Sequence, residues 1–483
     1  MVTLFSVVSV GSFSQTRLEF TPILVEAYDH ISSLRLSTGE AKLIQSKLSD
    51  PNNAFVYYIE NYMDFYTLFI QEDQQKYRSL IKKKDTRLAR IKASDSNSPY
   101  YLYCQAEIIL QWATIKVKFD DKINAARDVY EAYNLLEENK KRFPNFLENN
   151  KSLSIIHALA ESVPSWIRNI MGIKGSINLG NKEILSLIHD PSFNKNKFKN
   201  EIVGIYSYLL FYVNNRKEES YQLYDKYGLD HRTNPLVAFL KATMAQKLGR
   251  NEEAIKILEE RPKGLNYLNF YYLDFMYGKF KLYQLDANSN IYLEKFVKNF
   301  GGRHYIKEAY QKLAWYHLVI RNDRTSYKTY INKCKKYGNN LIDEDKQALK
   351  EAQSNEIPEP TLLMARILFD GGYFVKAKEI LTNTNGSRLM SSNIEEYYYR
   401  LGRISESLKS HYDAIEYYEK IAILASSPKY YACSAALQLG IIYEENKNIA
   451  KAQKYFKLCL ALNPDEYRSS LHQKAKVGLD RIN

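Results

Sequence analysis

Pairs of small residues set twelve positions apart recur along this chain, and they constrain its fold more than any other feature. Gly402 is followed by Ala414, and Gly440 by Ala452; the two glycines are 38 apart. One step upstream, Ala365 and Ala377 repeat the pair 37 residues before Gly402. Two helices joined by a short turn cross closely only where both backbones carry small side chains, since a larger group at either point pushes them apart. Each pair therefore marks the seam of one helical hairpin. The flanking residues agree: Leu401 and Leu439 precede the glycines, Tyr418 and Phe456 follow four after the second small residue, and Pro464 stands at the expected hairpin end. Gly371-Gly372 supplies a turn between the Ala365 and Ala377 helices, because glycine accepts the positive φ of a tight helix end. Farther back the rule persists more weakly in Ala314 with Ser326 and Ala242 with Ala254.

A chain of 483 residues is either several domains or one elongated array. With only 19 Gly and 12 Pro it has too few breakers for many turns and strands, so the array is favoured. The expected fold is all-α, a right-handed superhelical solenoid of antiparallel helix pairs. Residues 22 to 36, 53 to 70, 99 to 118 and 122 to 142 have helical periodicity, separated by Ser-Asp-Pro-Asn-Asn at 49 to 53 and Ser-Asp-Ser-Asn-Ser-Pro at 94 to 99. Ala126 with Tyr130 reads as a degenerate second helix, and Met171 to Gly180, with three glycines, as an irregular segment. The expected division is a signal segment at 1–14, diverged helical repeats at 15–230, clearer repeats at 231–464 and a C-terminal capping helix at 465–483. The residues expected to pack the repeats are Ala314, Ala365, Ala377, Gly402, Ala414, Gly440 and Ala452.

On these residues the stretch from 235 to 464 resembles tetratricopeptide-repeat proteins. A second resemblance rests on Val163-Pro164-Ser165-Trp166-Ile167 through Gly172-Ile173-Lys174-Gly175 to Leu179-Gly180, and on Tyr305 to Trp315. These segments are similar to the tetratricopeptide proteins of the inclusion-body-clearance type and their exported bacterial relatives. The resemblance implies an architecture and a binding role, and it carries over no site residues.

Val2 to Phe13 is a short apolar stretch with small residues three and one before Gln15, as a signal-peptidase site requires, though no Lys or Arg precedes it. The expected location is therefore exported, periplasmic or outer-membrane associated. The competing reading is a buried first helix or strand, with a cytoplasmic protein. No later apolar run is long enough to span a membrane. The 41 Tyr residues, spread along the whole chain, are read first as fillers of helix seams with the hydroxyl at water. A formal charge of +13 includes two dense basic patches, Lys82-Lys83-Lys84 with Arg87, Arg90 and Lys92, and Lys195, Lys197 and Lys199. Without a zinc-finger spacing or an RNA-binding aromatic signature, the charge argues for solvated faces rather than nucleic acid.

The sequence offers no chemistry of its own. Cys104, Cys334, Cys433 and Cys459 have no metal-ligand spacing and are expected as buried thiols. None of the eight histidines has a second ligand three or four residues away. No phosphate loop, nucleophile elbow or dinucleotide fingerprint is present, and Asp120-Asp121 sits where a helix dipole favours negative charge. No catalytic, cofactor or metal residue is assigned. The expected function is a non-enzymatic scaffold or adaptor that takes a peptide or helix of a protein partner in a concave groove, with an outer-membrane complex as one such partner. The alternatives are an exported glycan binder stacking sugars on Tyr271, Tyr272 or Trp166, and a cytosolic adaptor.

Overall fold

The computed structural model describes residues 16–161, 173–384, 393–422 and 428–482. Among them every regular element is helical, and pairing of extended backbone is confined to a single bridge between Arg17 and Asn53. The chain divides into two compact units, one of residues 1–248, 256–273 and 299–303, the other of 249–255, 274–298 and 304–483.

The first unit holds α1 (Pro22–Ser32), α2 (Leu36–Ser49), α3 (Phe55–Gln71), α4 (Gln74–Lys92), α5 (Tyr100–Lys118), α6 (Lys122–Arg142), α7 (Asn149–Ala160), α8 (Ile177–Ile188), α9 (Lys199–Tyr208), α10 (Lys217–Lys226) and α11 (Pro235–Lys247). Helices α12 (Asn251–Glu260) and α13 (Tyr271–Tyr283) straddle the division. The second unit continues with α14 (Ser289–Asn299), α15 (Ile306–Val319), α16 (Arg324–Lys336), α17 (Asp343–Ser354), α18 (Pro360–Asp370), α19 (Phe374–Asn383), α20 (Ile394–Ser407), α21 (His411–Ala422), α22 (Tyr431–Glu445), α23 (Ile449–Ala461) and α24 (Arg468–Ile482). Starts follow local chemistry. Asn234 caps α11 ahead of Pro235, Glu359 caps α18 ahead of Pro360, and Asp323 accepts from the amides of Thr325 and Ser326.

One turn design joins most hairpins. A residue in the left-handed region follows the first helix: Leu34, Asp120, Leu285, Gly372, Lys409 and Lys447 all have φ between +60° and +81°. The next amide then donates to the carbonyl five residues back, as Arg35 to His30 (2.9 Å), Asp121 to Lys116 (2.9 Å), Ser410 to Ser405 (2.9 Å) and Asn448 to Tyr443 (2.8 Å). This closure fixes the register between helices, and the small pairs follow from it. Ala27 and Gly39, and Ala113 and Ala125, obey the twelve-residue rule in the N-terminal third; a Cβ on Gly39 would lie 2.4 Å from Ile31.

Three sequence expectations change accordingly. The helix expected over 22 to 36 is two, because Leu34 turns the chain. The small residue of α6 is Ala125, and Ala126 is exposed. Leu179-Gly180 lies within α8, where Ser154 and Ala158 press against Gly180, so the irregular segment ends by Ser176 among the described residues.

Two hairpins carry one extra residue. After α9, a π turn over Leu209–Val213 lets the Arg216 amide reach the Leu210 carbonyl six residues back, and the buried seam pair becomes Ser207 and Ser220, thirteen apart and hydrogen-bonded at 2.9 Å. After α15, the Asp323 amide reaches His317, again six back. Tyr327 therefore takes the buried place opposite Ala314, while Ser326 is half-buried.

In the second unit the seam residues Ala314, Ala365, Ala377, Ala414 and Ala452 are fully buried. In the two hairpins whose first small residue is glycine, the aromatic residue four beyond the second fills the space left: a Cβ on Gly402 would lie 2.4 Å from the Tyr418 ring, and one on Gly440 2.5 Å from Phe456. Gly478 of α24 meets the same Phe456 ring at 2.5 Å, so the last helix is keyed to the hairpin before it. Gly372 has both a positive φ of +81° and the Gly249 carbonyl 2.5 Å from where a Cβ would be. Another glycine extends the period: Gly278, 36 residues after Ala242 and 36 before Ala314, packs on Leu293 and Ser289. The single helix α17 interrupts the period before Ala365.

The first unit holds a cluster of packed aromatic rings. Phe20 packs on Phe55 and Phe198, and Tyr28, Tyr58 and Tyr103 surround Phe198. Beside them Lys151, 1% exposed, bridges Glu107 (2.7 Å) and Glu201 (2.6 Å), and Tyr28 donates to Glu201 at 2.6 Å. Tyr58 and Tyr62 share a hydroxyl–hydroxyl hydrogen bond of 2.9 Å, so that, like Tyr28, each buries its ring and keeps a polar partner at its tip.

Candidate functional site

In the second unit, α18, α20 and the start of α22 border a cavity of about 200 Å³, lined by Ala365, Arg366, Phe369, Asp370, Tyr399, Arg400, Arg403, Ile404 and Tyr430. These positions share a register. Arg366 follows the seam residue Ala365, and Arg403 follows Gly402, 37 residues on. A residue just after the seam is rotated about 100° from it and escapes the cover of its own second helix. Successive first helices therefore set their guanidinium groups side by side. Trp315 occupies the same register after Ala314, and the Arg366 guanidinium lies 4.7 Å from its ring centre.

The three arginines differ in what they already hold. Arg400 is paired with Glu396 one turn away, Nε to Oε1 at 2.8 Å. Burial pushes the Glu396 carboxyl up, but Arg400 outweighs it and holds the group below the ordinary carboxylate range. Arg366, 41% exposed in its side chain, reaches Glu351 only at 3.8 Å. Arg403 lies over the Phe369 ring (5.2 Å) and donates to the Tyr399 hydroxyl (3.1 Å), and among the described residues it forms no ion pair with a carboxylate within 4 Å. Stacking occupies the faces of a guanidinium and leaves its N–H edges for an acceptor. Tyr430, edge-on to Tyr399 at 5.7 Å, forms the opposite wall.

The volume decides what fits. Drug-sized ligands occupy roughly 300 to 1,000 Å³. A cavity of this size takes a single side chain or chain terminus, and its open donors suit an anion. Next to it, Lys312 sits 3.6 Å from the Trp315 ring centre and 3.7 Å from Glu308, its side chain 7% exposed. Burial, with Arg366 and Lys279 nearby, pushes its ammonium down to about 8 against the pull of Glu308. Glu351 ties the cluster together, accepting from Trp315 (2.6 Å) and Gln311 (2.7 Å).

Apart from the seam residue Ala365, none of these pocket residues was singled out by motif. The available signal was positional: reading the residue after each seam gives Trp315, Arg366, Arg403 and Ile441 in order. The features that sequence did single out are placed as follows. The first basic patch is split by its helix. Arg87 turns inward to Asp64 (2.6 Å) and Lys84 to Asp128 (3.1 Å), while Lys82, Lys83, Arg90 and Lys92 are exposed. In the second, Lys195 and Lys197 are exposed and Lys199 is half-buried, with Lys197 donating to the Phe20 carbonyl. Tyr271 and Tyr272 are half-buried, Tyr272 against Phe239; Trp166 and residues 1–14 lie outside the described residues. Asp120 is a turn residue, and Asp121 precedes α6. All four cysteines are buried free thiols. Among the described residues no cluster of three or more His, Cys, Asp or Glu could hold a metal, and no helix is long and apolar enough to cross a membrane.

No curated protein sequence matches the chain. Among solved structures it is similar to a chain in the crystal structure of the APC/C hetero-tetramer Cut9–Hcn1, with 12% identity and a TM-score of 0.29 over 94% of this chain and 88% of that one. It is also similar to a circular tandem repeat protein with novel repeat topology and enhanced subunit contact surfaces, with 12% identity and a TM-score of 0.12 over 95% and 93%. The tetratricopeptide-repeat family model matches residues 395–422 and 434–466, the spans of α20–α21 and of α22–α23 with the residues just after it. Family model, seam glycines and turn closures coincide there, and these two segments are tetratricopeptide repeats.

Proposed function

We propose that this chain is a non-catalytic scaffold whose second unit holds a partner protein by an anionic group docked in the arginine-lined pocket. The observation that carries the reading is Arg403: a charged guanidinium fixed between Phe369 and Tyr399, in a cavity sized for one side chain, with N–H edges uncommitted to any described carboxylate. Tetratricopeptide repeats present such first-helix faces to protein segments. Arg366 provides the second cation, and Tyr430 gives an apolar wall for the neighbouring residue of the partner segment.

Fluorescence anisotropy with a labelled Asp/Glu-rich peptide, its Asn/Gln counterpart as control, tests this. The acidic peptide is expected to bind tighter, to weaken as salt rises, and to lose about tenfold in affinity in Arg403→Ala, with folding judged by circular dichroism. Equal binding of both peptides, or an unchanged affinity in Arg403→Ala, overturns it.

The address proposed for this scaffold is the bacterial cell envelope, with an outer-membrane assembly as its partner. Support comes from the apolar stretch Val2 to Phe13 and its small residues before Gln15. Kinship to the inclusion-body-clearance type is proposed on the segments around Gly175 and Ala314. Cell fractionation with N-terminal sequencing tests the address; an intact Met1 on a cytosolic protein refutes it.

A further inference from the structure

Cys433 lies in the first turn of α22 and Cys459 in the last turn of α23, so the closing of that hairpin brings the two residues together at its open end. Their Sγ atoms are 3.5 Å apart, in van der Waals contact, and the side chains are 1% and 0% exposed. The Cys433 sulfur also lies 3.4 Å from the Cys459 carbonyl oxygen, and the Cys459 sulfur 3.9 Å from that of Leu471. The other two cysteines have different surroundings. Cys334 is bonded to the Ala348 carbonyl, and Cys104 is enclosed in α5. Neither makes a contact with another sulfur among the described residues.

We propose that Cys433 and Cys459 form a peroxide-sensitive dithiol that closes to an intramolecular disulfide across the last tetratricopeptide repeat. The two thiols are not equivalent. The Cys459 S–H lies against the Cys433 sulfur and draws that thiol below its ordinary range against the effect of burial, while Cys459 itself is pushed up. This makes Cys433 the attacking sulfur and Cys459 the resolving one. In the first step the Cys433 thiolate attacks one oxygen of hydrogen peroxide; an S–O bond forms, the O–O bond breaks, and hydroxide leaves, to be protonated to water. In the second, the Cys459 sulfur attacks the Cys433 sulfenic acid; the S–S bond forms, the S–O bond breaks, and the Cys459 proton leaves with the oxygen as a second water. Two thiols lose two electrons and one peroxide gains them. Peroxide is small and neutral, which suits a buried pair better than a bulky disulfide oxidant.

The test treats the reduced full-length chain with hydrogen peroxide, then denatures it, blocks remaining thiols with iodoacetamide and maps the peptides without reductant. The expected product is one Cys433–Cys459 crosslinked peptide, two hydrogens lighter than its parts, with Cys104 and Cys334 alkylated. In Cys459→Ser the reaction should stop at a sulfenic acid on residue 433, captured by dimedone. In Cys433→Ser, Cys459 should remain alkylatable. Oxidation of Cys104 or Cys334 at the same rate overturns the proposal. So does recovery of both Cys433 and Cys459 as alkylated thiols, or a dimedone adduct on Cys459 in preference to Cys433.

Discussion

Gly440 and the ring of Phe456 occupy one volume: a Cβ at residue 440 would lie 2.5 Å from two ring atoms. Replacing the glycine with leucine must displace a ring that Gly478 also contacts closely. Gly440→Leu is expected to cost about 1 to 3 kcal/mol, read as a lower denaturant midpoint of the second unit. Lys447→Ala, at the left-handed turn position of the same hairpin, exchanges one non-glycine residue for another at φ +60° and should be nearly silent. Equal midpoints for the two variants would place the seam elsewhere.

Lys312 gives the second unit a pH dependence whose sign is fixed. Its ammonium ionises near 8 when folded and near 10.5 when unfolded, so between those values the unfolded chain binds more protons and stability rises with pH. Below about 8 both states are charged, and the folded one carries the full burial cost. Lys312→Met removes that cost, so its advantage over the parent should be largest at pH 7 and shrink by up to about 3 kcal/mol by pH 10.5. Paired melting curves at pH 7, 8.5 and 10 measure it; a constant difference would show that Lys312 is charged throughout.

Lys151 is the opposite case, a buried cation whose two carboxylate partners hold it charged. Lys151→Met leaves the buried Glu107 beside the half-buried Glu201 without this counter-ion, and a loss of about 3 to 5 kcal/mol is expected. Lowering the pH to 5 should recover part of this loss, because a carboxylate left so exposed to its neighbour takes up a proton. Urea unfolding of both proteins at pH 7.5 and 5 provides the comparison.

The thiol pair and the pocket share one helical turn. Tyr430, a pocket wall, stands one turn before Cys433, and Ser434 is hydrogen-bonded to the Tyr399 hydroxyl at 3.2 Å. Disulfide closure draws the Cys433 sulfur in by about 1.5 Å, to the bond length of about 2.05 Å. The affinity for the acidic peptide should therefore change by at least about twofold on peroxide treatment of the parent protein and stay constant in Cys433→Ser. A crosslinked protein with unaltered affinity would uncouple the two sites.

The legibility of this fold in its sequence was uneven for physical reasons. Where glycine or alanine occupies both sides of a seam, as at 402 and 414 or 440 and 452, spacing alone locates the hairpin. Ala27 with Gly39 follows the same rule, yet the reading runs 22 to 36 as one helix, because the left-handed turn residue is Leu34 and leucine carries no turn signal. Ala125 was missed by one position for a similar reason, Asp120 being read as a helix start. At Ala314 the rule slipped because the Asp323 closure spans six residues. The pocket was invisible to motif searching, since its residues come from three helices and only the repeat register relates Arg366 to Arg403. The split of the Lys82–Lys92 patch depends on Asp64 and Asp128, which lie on α3 and α6, and composition cannot pair residues across helices.

The two turns with a six-residue closure act as phase shifters. An extra residue inside a helix would rotate everything after it by about 100° and turn the stacking face to solvent. Here the surplus residue is taken up where α9 meets α10 and where α15 meets α16, and the second helix presents its next residue to the seam instead, Ser220 or Tyr327. A lineage of such chains can thus gain or lose single residues at its hairpin bends while the row of positions that begins with Trp315, Arg366 and Arg403 keeps its alignment, leaving the binding face free to diverge on its own schedule.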